Sequence, residues 1–183
     1  MSRVPLSPVL LLAAALGGAA LAQANTSSST RPGGANQRVS VEGCAGEWLF
    51  NGVWRLRVLS VARGEEYRQP LWQVRLELRN GVDRNITPSS QGGISSYKTQ
   101  LISSTGNTLN MAPLESATFD RKVSYKNLPP GGSVSYTARF RADAEDMAAP
   151  PSKLLMNVNI GPLAKNLPWG KNPSFRVRLD CRR

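Results

Sequence analysis

Trp72-Gln73-Val74-Arg75-Leu76-Glu77-Leu78-Arg79 alternates apolar and polar side chains without a break, and this stretch decides the fold. Successive side chains of a strand point to opposite faces. Trp72, Val74, Leu76 and Leu78 therefore face a core, while Gln73, Arg75, Glu77 and Arg79 face water. The same period of two recurs on either side. Trp54, Leu56 and Val58 alternate with Arg55 and Arg57, and Val134, Tyr136, Ala138 and Phe140 with Ser135, Thr137, Arg139 and Arg141. Near the end, Phe175, Val177, Leu179 and Cys181 alternate with Arg176, Arg178 and Asp180. Weaker strand signals cover Val39–Cys44, Lys98–Ser103, Thr118–Tyr125 and Leu154–Ile160.

Turn chemistry separates these runs: Asn80-Gly81, Gly92-Gly93, Thr105-Gly106-Asn107, Pro129-Pro130-Gly131-Gly132 and Gly161-Pro162. Asn80-Gly81 suits a backbone of positive φ, and the Pro-Gly pair a tight reversal. The one helical candidate, Ala142–Ala149, is stopped by Pro150-Pro151 and has length for a turn or two. About eight short strands punctuated in this way predict an all-β fold, an antiparallel β-sandwich.

The first residues are of another kind. Arg3 precedes an apolar run of 14 residues, Val9 to Ala22, and Ala22-Gln23-Ala24 offers a small-x-small cleavage site. A membrane-spanning helix needs about 20 apolar residues. Residues 1–24 are thus read as a secretory signal peptide. Residues 25–37 (NTSSSTRPGGANQ) are polar, without apolar periodicity, and read as a flexible linker. Residues 38–183 form the expected sandwich domain. Cleavage before Asn25, rather than before a cysteine, gives no sign of lipid attachment. The mature chain is expected to be exported to the periplasm, cell surface or medium.

Past Ala24 the chain carries 22 Lys and Arg against 12 Asp and Glu, a net charge of +10. Such a field attracts polyanions, although a scattered, solvated surface would carry the same count. The chain has no histidine, which removes the commonest general base and metal ligand. Its two cysteines, Cys44 and Cys181, lie 137 positions apart near the two ends of the domain. In an oxidising compartment they are expected to form a disulfide between the first and last strands.

The succession Trp72–Ser89 (WQVRLELRNGVDRNITPS), then Leu101-Ile102-Ser103-Ser104-Thr105-Gly106, then Leu128-Pro129-Pro130-Gly131-Gly132-Ser133-Val134 and a strand ending at Phe140 resembles a known pattern. It is similar to the exported immunoglobulin-like domains of bacterial envelope proteins and lipoproteins of unknown function. The resemblance spans roughly residues 72 to 160. It implies an immunoglobulin-like sandwich with a non-catalytic binding or scaffolding role, and brings no catalytic residues. The segment from Gly43 to Trp54 (GCAGEWLFNGVW) lies outside the pattern.

Few constellations carry chemistry. Ser95-Ser96-Tyr97-Lys98 matches Ser-x-x-Lys, but that chemistry needs the serine at a helix start and a Lys-Thr-Gly partner. Asp143, Glu145 and Asp146 form an acidic knot without the central glycine of a calcium loop, and read as a solvated turn. No enzyme, metal or cofactor is expected. The candidate binding residues are the outward arginines Arg55, Arg57, Arg75, Arg79, Arg139, Arg141, Arg176 and Arg178. Guanidinium groups in rows bind phosphate and carboxylate in bidentate fashion, or else guard a half-exposed sheet against aggregation. Trp54 and Trp72 read as core. Trp48 and Trp169 fall in loops, where they can grip a ligand or pack over the sandwich ends. The expected function is a non-catalytic envelope protein that engages a partner protein or an anionic surface polymer. Sequence-independent nucleic-acid binding by a basic sheet face is the alternative.

Overall fold

Two sheets face each other in the computed structural model, which describes residues 41–160 and 172–181. The signal peptide (1–24), the linker (25–37), Gly161-Pro162 and Trp169 lie outside the described residues. Nine strands are described: β1 Val41–Cys44, β2 Leu49–Phe50, β3 Trp54–Glu66, β4 Gln69–Asn80, β5 Thr99–Ile102, β6 Thr108–Leu109, β7 Ser133–Arg141, β8 Lys153–Met156 and β9 Phe175–Arg178. One sheet runs β1-β9-β8-β5-β6 and the other β2-β3-β4-β7. The inward residues of the quoted stretch meet their counterparts as read. Leu56, Leu76 and Leu78 from one sheet and Leu101, Leu154 and Phe175 from the other are all fully buried. Burying each such side chain contributes about 1.5–3 kcal/mol, so this layer drives the fold.

The chain is a β-sandwich, with one departure from a wholly antiparallel plan. β1 and β9 pair in parallel, Val41 opposite Phe175 and Cys44 opposite Arg178. Cys44, the last residue of β1, is bonded to Cys181, three residues past the end of β9, their Cα atoms 5.9 Å apart, so the bridge ties the first strand to the segment that follows the last. The alternation through Leu179 and Cys181 outlasts the strand itself. β9 ends at Arg178, and Cys181 is half-buried rather than a core residue.

The expected strand Thr118–Tyr125 is helical. Helix α2, Pro113–Phe119, continues into a π-helical turn, Asp120–Ser124. Ala112, Glu115, Phe119 and Val123 are buried at spacings of three and four while Arg121 is exposed, the helical repeat, whereas a strand that buried Phe119 and Val123 would bury Arg121 too. Pro113 at the first helical position, followed by Glu115, is a start signal. Two further short elements, α1 (Pro88–Gly92) and a 3-10 turn (Ser96–Lys98), fall between β4 and β5. The candidate helix Ala142–Ala149 is a turn. Its Asp143 carboxylate accepts the Asp146 amide at 2.8 Å. The Asp146 carboxylate is buried and accepts from Asn107 at 3.1 Å, so the acidic knot fastens a loop. Among the described residues no three His, Cys, Asp or Glu side chains converge as a metal site.

β3 is longer than its alternation suggests. The register slips between Val58 and Ser60, a bulge that breaks the period at Leu59. Asn80-Gly81 turns without positive φ at Gly81. The buried Asn80 side chain does the work instead, donating to the carbonyls of Arg84 (2.7 Å) and Leu128 (3.0 Å) and accepting from Val82 (2.9 Å).

The β3–β4 hairpin closes on Tyr67 and Arg68, with φ of 51° and 60°. Two-residue hairpin loops of this kind favour Asn-Gly, because side chains beyond Asn are strained at positive φ. The double substitution Tyr67→Asn/Arg68→Gly is expected to stabilise the protein by about 1 kcal/mol, even after glycine loosens the unfolded chain. That corresponds to a rise of roughly 2–4 °C in Tm. A thermal melt reads it, and an unchanged or lower Tm would contradict a strained turn.

Candidate anion-binding face

The outer face of the β2-β3-β4-β7 sheet carries six of the eight candidate arginines. Arg55 and Arg57 stand on β3, Arg75 and Arg79 on β4, and Arg139 and Arg141 on β7. A grouping of Arg176 and Arg178 with them does not hold. Those two lie on β9 in the opposite sheet, where Arg176 approaches Glu42 at 3.7 Å and Arg178 donates to Cys44 Sγ at 3.4 Å.

Register decides which arginines meet. Arg55 is opposite Arg79, and Arg57 is opposite Glu77. Like charges directly opposite destabilise a sheet, and the sequence answers with aromatics and one carboxylate. Arg55 lies over the Phe50 ring at 4.3 Å. Arg57 and Arg79 both lie over Trp48, at 4.6 and 4.7 Å from the ring centre. Both also reach Glu77, at 3.0 and 3.4 Å. Their Nε atoms are buried with no acceptor among the described residues. Trp48 is thus half-buried beneath two guanidiniums, packed on the sheet as a clasp. Arg75 and Arg141 are exposed, and neither has an ion-pair partner among the described residues.

Burial alone would raise the Glu77 carboxyl. Hydrogen bonds from Arg57, Ser133 and Arg79, together with the Arg57 charge, outweigh it and hold the group below its ordinary 4.5. A carboxyl depressed by folding stabilises the protein above that ordinary value, and the contribution is lost as pH falls through the lower, folded value. The stability of Glu77→Gln is therefore expected to decline less steeply than that of the wild type below pH 4.5. Urea unfolding across that range measures it, and parallel acid limbs would contradict the assignment.

A second centre lies at the β7 edge, and sequence reasoning missed it. Glu115 of α2 is buried and accepts from Arg139 Nη1 at 2.9 Å and from the Tyr136 hydroxyl. The Tyr136 ring packs edge-on against Phe119 at 5.4 Å. Burial, then the Glu115 hydrogen bond and charge, push the Tyr136 phenol above its ordinary range, against the opposing Arg139 and Arg121 charges. Beside it opens a groove of about 460 Å3 lined by Arg75, Lys122, Arg139 and the hydroxyls of Thr118, Ser135 and Thr137, with Tyr136 in its wall. The available signal was Pro113 with Glu115 at a helix start, which places Thr118 and Lys122 one turn apart on a single face.

Ser95 and Lys98 meet through the backbone, where the Lys98 amide donates to the Ser95 carbonyl at 3.2 Å, and their side chains are not hydrogen-bonded to each other. The Ser95 Oγ is buried with no partner among the described residues, and the Lys98 side chain is exposed.

No family model and no curated protein matches the chain. Solved structures do resemble it. The yjhA protein from Bacillus subtilis matches at 13% identity, over 76% of this chain and 99% of that one, with a TM-score of 0.50. An uncharacterized β-sandwich protein from Clostridium difficile 630 matches at 6% identity, over 81% and 99%, with a TM-score of 0.48. A secreted protein from Mycobacterium tuberculosis, MPT63, matches at 12% identity, over 66% and 92%, with a TM-score of 0.46. At such identities the likeness is one of fold, and the fold of this chain is a β-sandwich.

Proposed function

We propose that this is a non-catalytic, exported binding protein of the cell envelope, an immunoglobulin-like sandwich that holds an anionic surface polymer against one sheet. The observation that carries this reading is the placement of six arginines on one outer face of three strands that hold three carboxylates, Glu77 among the arginines and Glu65 and Glu66 at the far end of β3. A face of this charge concentrates polyanions and speeds their capture. The disulfide suits an oxidising compartment, and the leader-like run before Ala24 suits export. No helix among the described residues is long and apolar enough to cross a membrane. The Ser95 Oγ is buried and without a hydrogen-bond partner among the described residues, while the Lys98 side chain is exposed, which favours binding over acyl transfer.

A polysaccharide is favoured over nucleic acid on one further ground. Single-stranded nucleic acid binds basic grooves by stacking bases on aromatic side chains. Here Arg57 and Arg79 already cover Trp48, and Arg55 covers Phe50. The test is binding of the mature protein to a carboxylated polysaccharide and to single-stranded DNA across a salt series. Saturable polysaccharide binding that weakens steadily with salt is expected. Absence of binding would overturn the proposal, and tighter binding to DNA at every salt concentration would replace it with the nucleic-acid reading.

A further inference from the structure

The groove at the β7 edge gathers cations that the committed part of the face does not. Arg57 and Arg79 are committed to Glu77 and Trp48. Arg75 and Lys122 face the groove with no carboxylate partner among the described residues. Arg139 is tethered to Glu115 through Nη1, which fixes the guanidinium while leaving four of its five N–H donors. Arg75 is paired with Thr137, so Arg139, two residues on, is its diagonal neighbour across the sheet. Diagonal neighbours stand about 7–8 Å apart at the backbone, a gap that two long side chains close around a single oxyanion.

The remaining lining is hydroxyl. Thr118 and Lys122 come from successive turns of one helical segment, and Ser135 and Thr137 from alternate positions of β7. A hydroxyl both donates and accepts; that of Thr118 already donates to the Leu114 carbonyl at 3.0 Å and is left to accept, and the set suits a ligand that is itself polyhydroxylated. The one aromatic in the wall offers no stacking platform, since Tyr136 packs on Phe119 and gives its hydroxyl to Glu115. The groove volume of about 460 Å3 lies within the range of small-molecule sites, roughly 300–1,000 Å3.

We infer that this groove binds one sugar unit bearing a phosphate or carboxylate, its oxyanion held by Arg75, Lys122 and Arg139 and its hydroxyls by Thr118, Ser135 and Thr137. The inference rests on the polymer-binding reading of the face and names the unit that the polymer contributes. Phosphate and carboxylate share the chemistry of bidentate guanidinium recognition.

The test titrates isotope-labelled mature protein at constant ionic strength with glucose 6-phosphate, glucuronate, glucose, inorganic phosphate and adenosine monophosphate, reading amide shifts. Saturable shifts at Lys122, Ser135 and Thr137 are expected with at least one anionic sugar and not with glucose, and the stronger of the two identifies the oxyanion. Arg75→Gln/Lys122→Gln removes two exposed side chains, so the fold is retained, as its melt will show. It is expected to weaken that binding about 10- to 100-fold, the scale of lost charge-assisted hydrogen bonds. Shifts that survive in the variant, or that spread over the whole face without saturating, would overturn the site. Phosphate binding as tightly as glucose 6-phosphate would overturn the sugar assignment, and so would tighter binding of the nucleotide. If the polysaccharide binds while no small ligand does, the groove fails and the face stands. If neither binds, both fail.

Discussion

Replacing Cys44 and Cys181 together by serine is expected to cost about 4–5 kcal/mol and to lower Tm by roughly 10–20 °C. The bridge closes a loop of 137 positions, so its removal releases a large loop entropy in the unfolded chain. The folded state offers little to compensate. β1 is four residues long and lies at the edge of its sheet, with β9 as its one strand neighbour there. Beyond that pairing, the amides of Ala45 and Gly46 reach Arg178 and Val58 at 2.8 Å each. A thermal melt of the variant beside the oxidised wild type measures the effect. A change of only a degree or two would mean that β1 and β9 hold each other without the bond.

Trp54→Ala is expected to cost about 3–5 kcal/mol, the range for emptying a large aromatic site in a packed core. Trp54 is 0% exposed and opens β3. The fully buried Asn51 side chain accepts its amide at 2.7 Å, and its indole donates to the Gln91 carbonyl at 3.4 Å. Gly92 comes so close that an added Cβ would stand 2.7 Å from the indole nitrogen, so the surrounding backbone is shaped around this ring. Trp48→Ala makes the comparison. Its ring is half-buried on the outside and gains about 0.5–1 kcal/mol from each exposed cation–π contact, so the cost is expected to be about 1–2 kcal/mol. Urea unfolding of the two variants ranks them, and an equal or reversed order would contradict the assignment of Trp54 to the core and Trp48 to the face.

The sandwich was legible because its strongest strands alternate without interruption. Trp72 to Arg79 and Val134 to Arg141 each place four apolar residues on one face, and no helical period fits them. Phe119 and Val123 were not legible as strand or helix from their immediate neighbours. The deciding signal, Pro113 with Glu115, lies four or more residues upstream. The second half of β3 was hidden by a bulge, since one extra residue at Leu59 reverses the phase of everything after it.

The arginine rows were legible as outward positions, because alternation fixes the face of a strand. Which rows share a sheet was not, because that depends on pairing between segments distant in the sequence. Arg176 and Arg178 look like Arg55 and Arg57 in sequence, yet β9 pairs with β1 and β8, away from β3. The groove escaped notice for the same reason. It needs Lys122 from a misread helix beside Arg75 and Arg139 from two paired strands.

The central claim is that anion binding belongs to one sheet and is not a property of net charge. Two variants test it, Arg75→Ser/Arg141→Ser on the four-stranded sheet and Arg176→Ser/Arg178→Ser on the other, each removing the same two charges. The measurement is the salt needed to elute each from a column of immobilised anionic polysaccharide. The first pair is expected to elute well before the wild type and the second close to it. Equal shifts in the two variants, or a larger one in the second, would contradict the account.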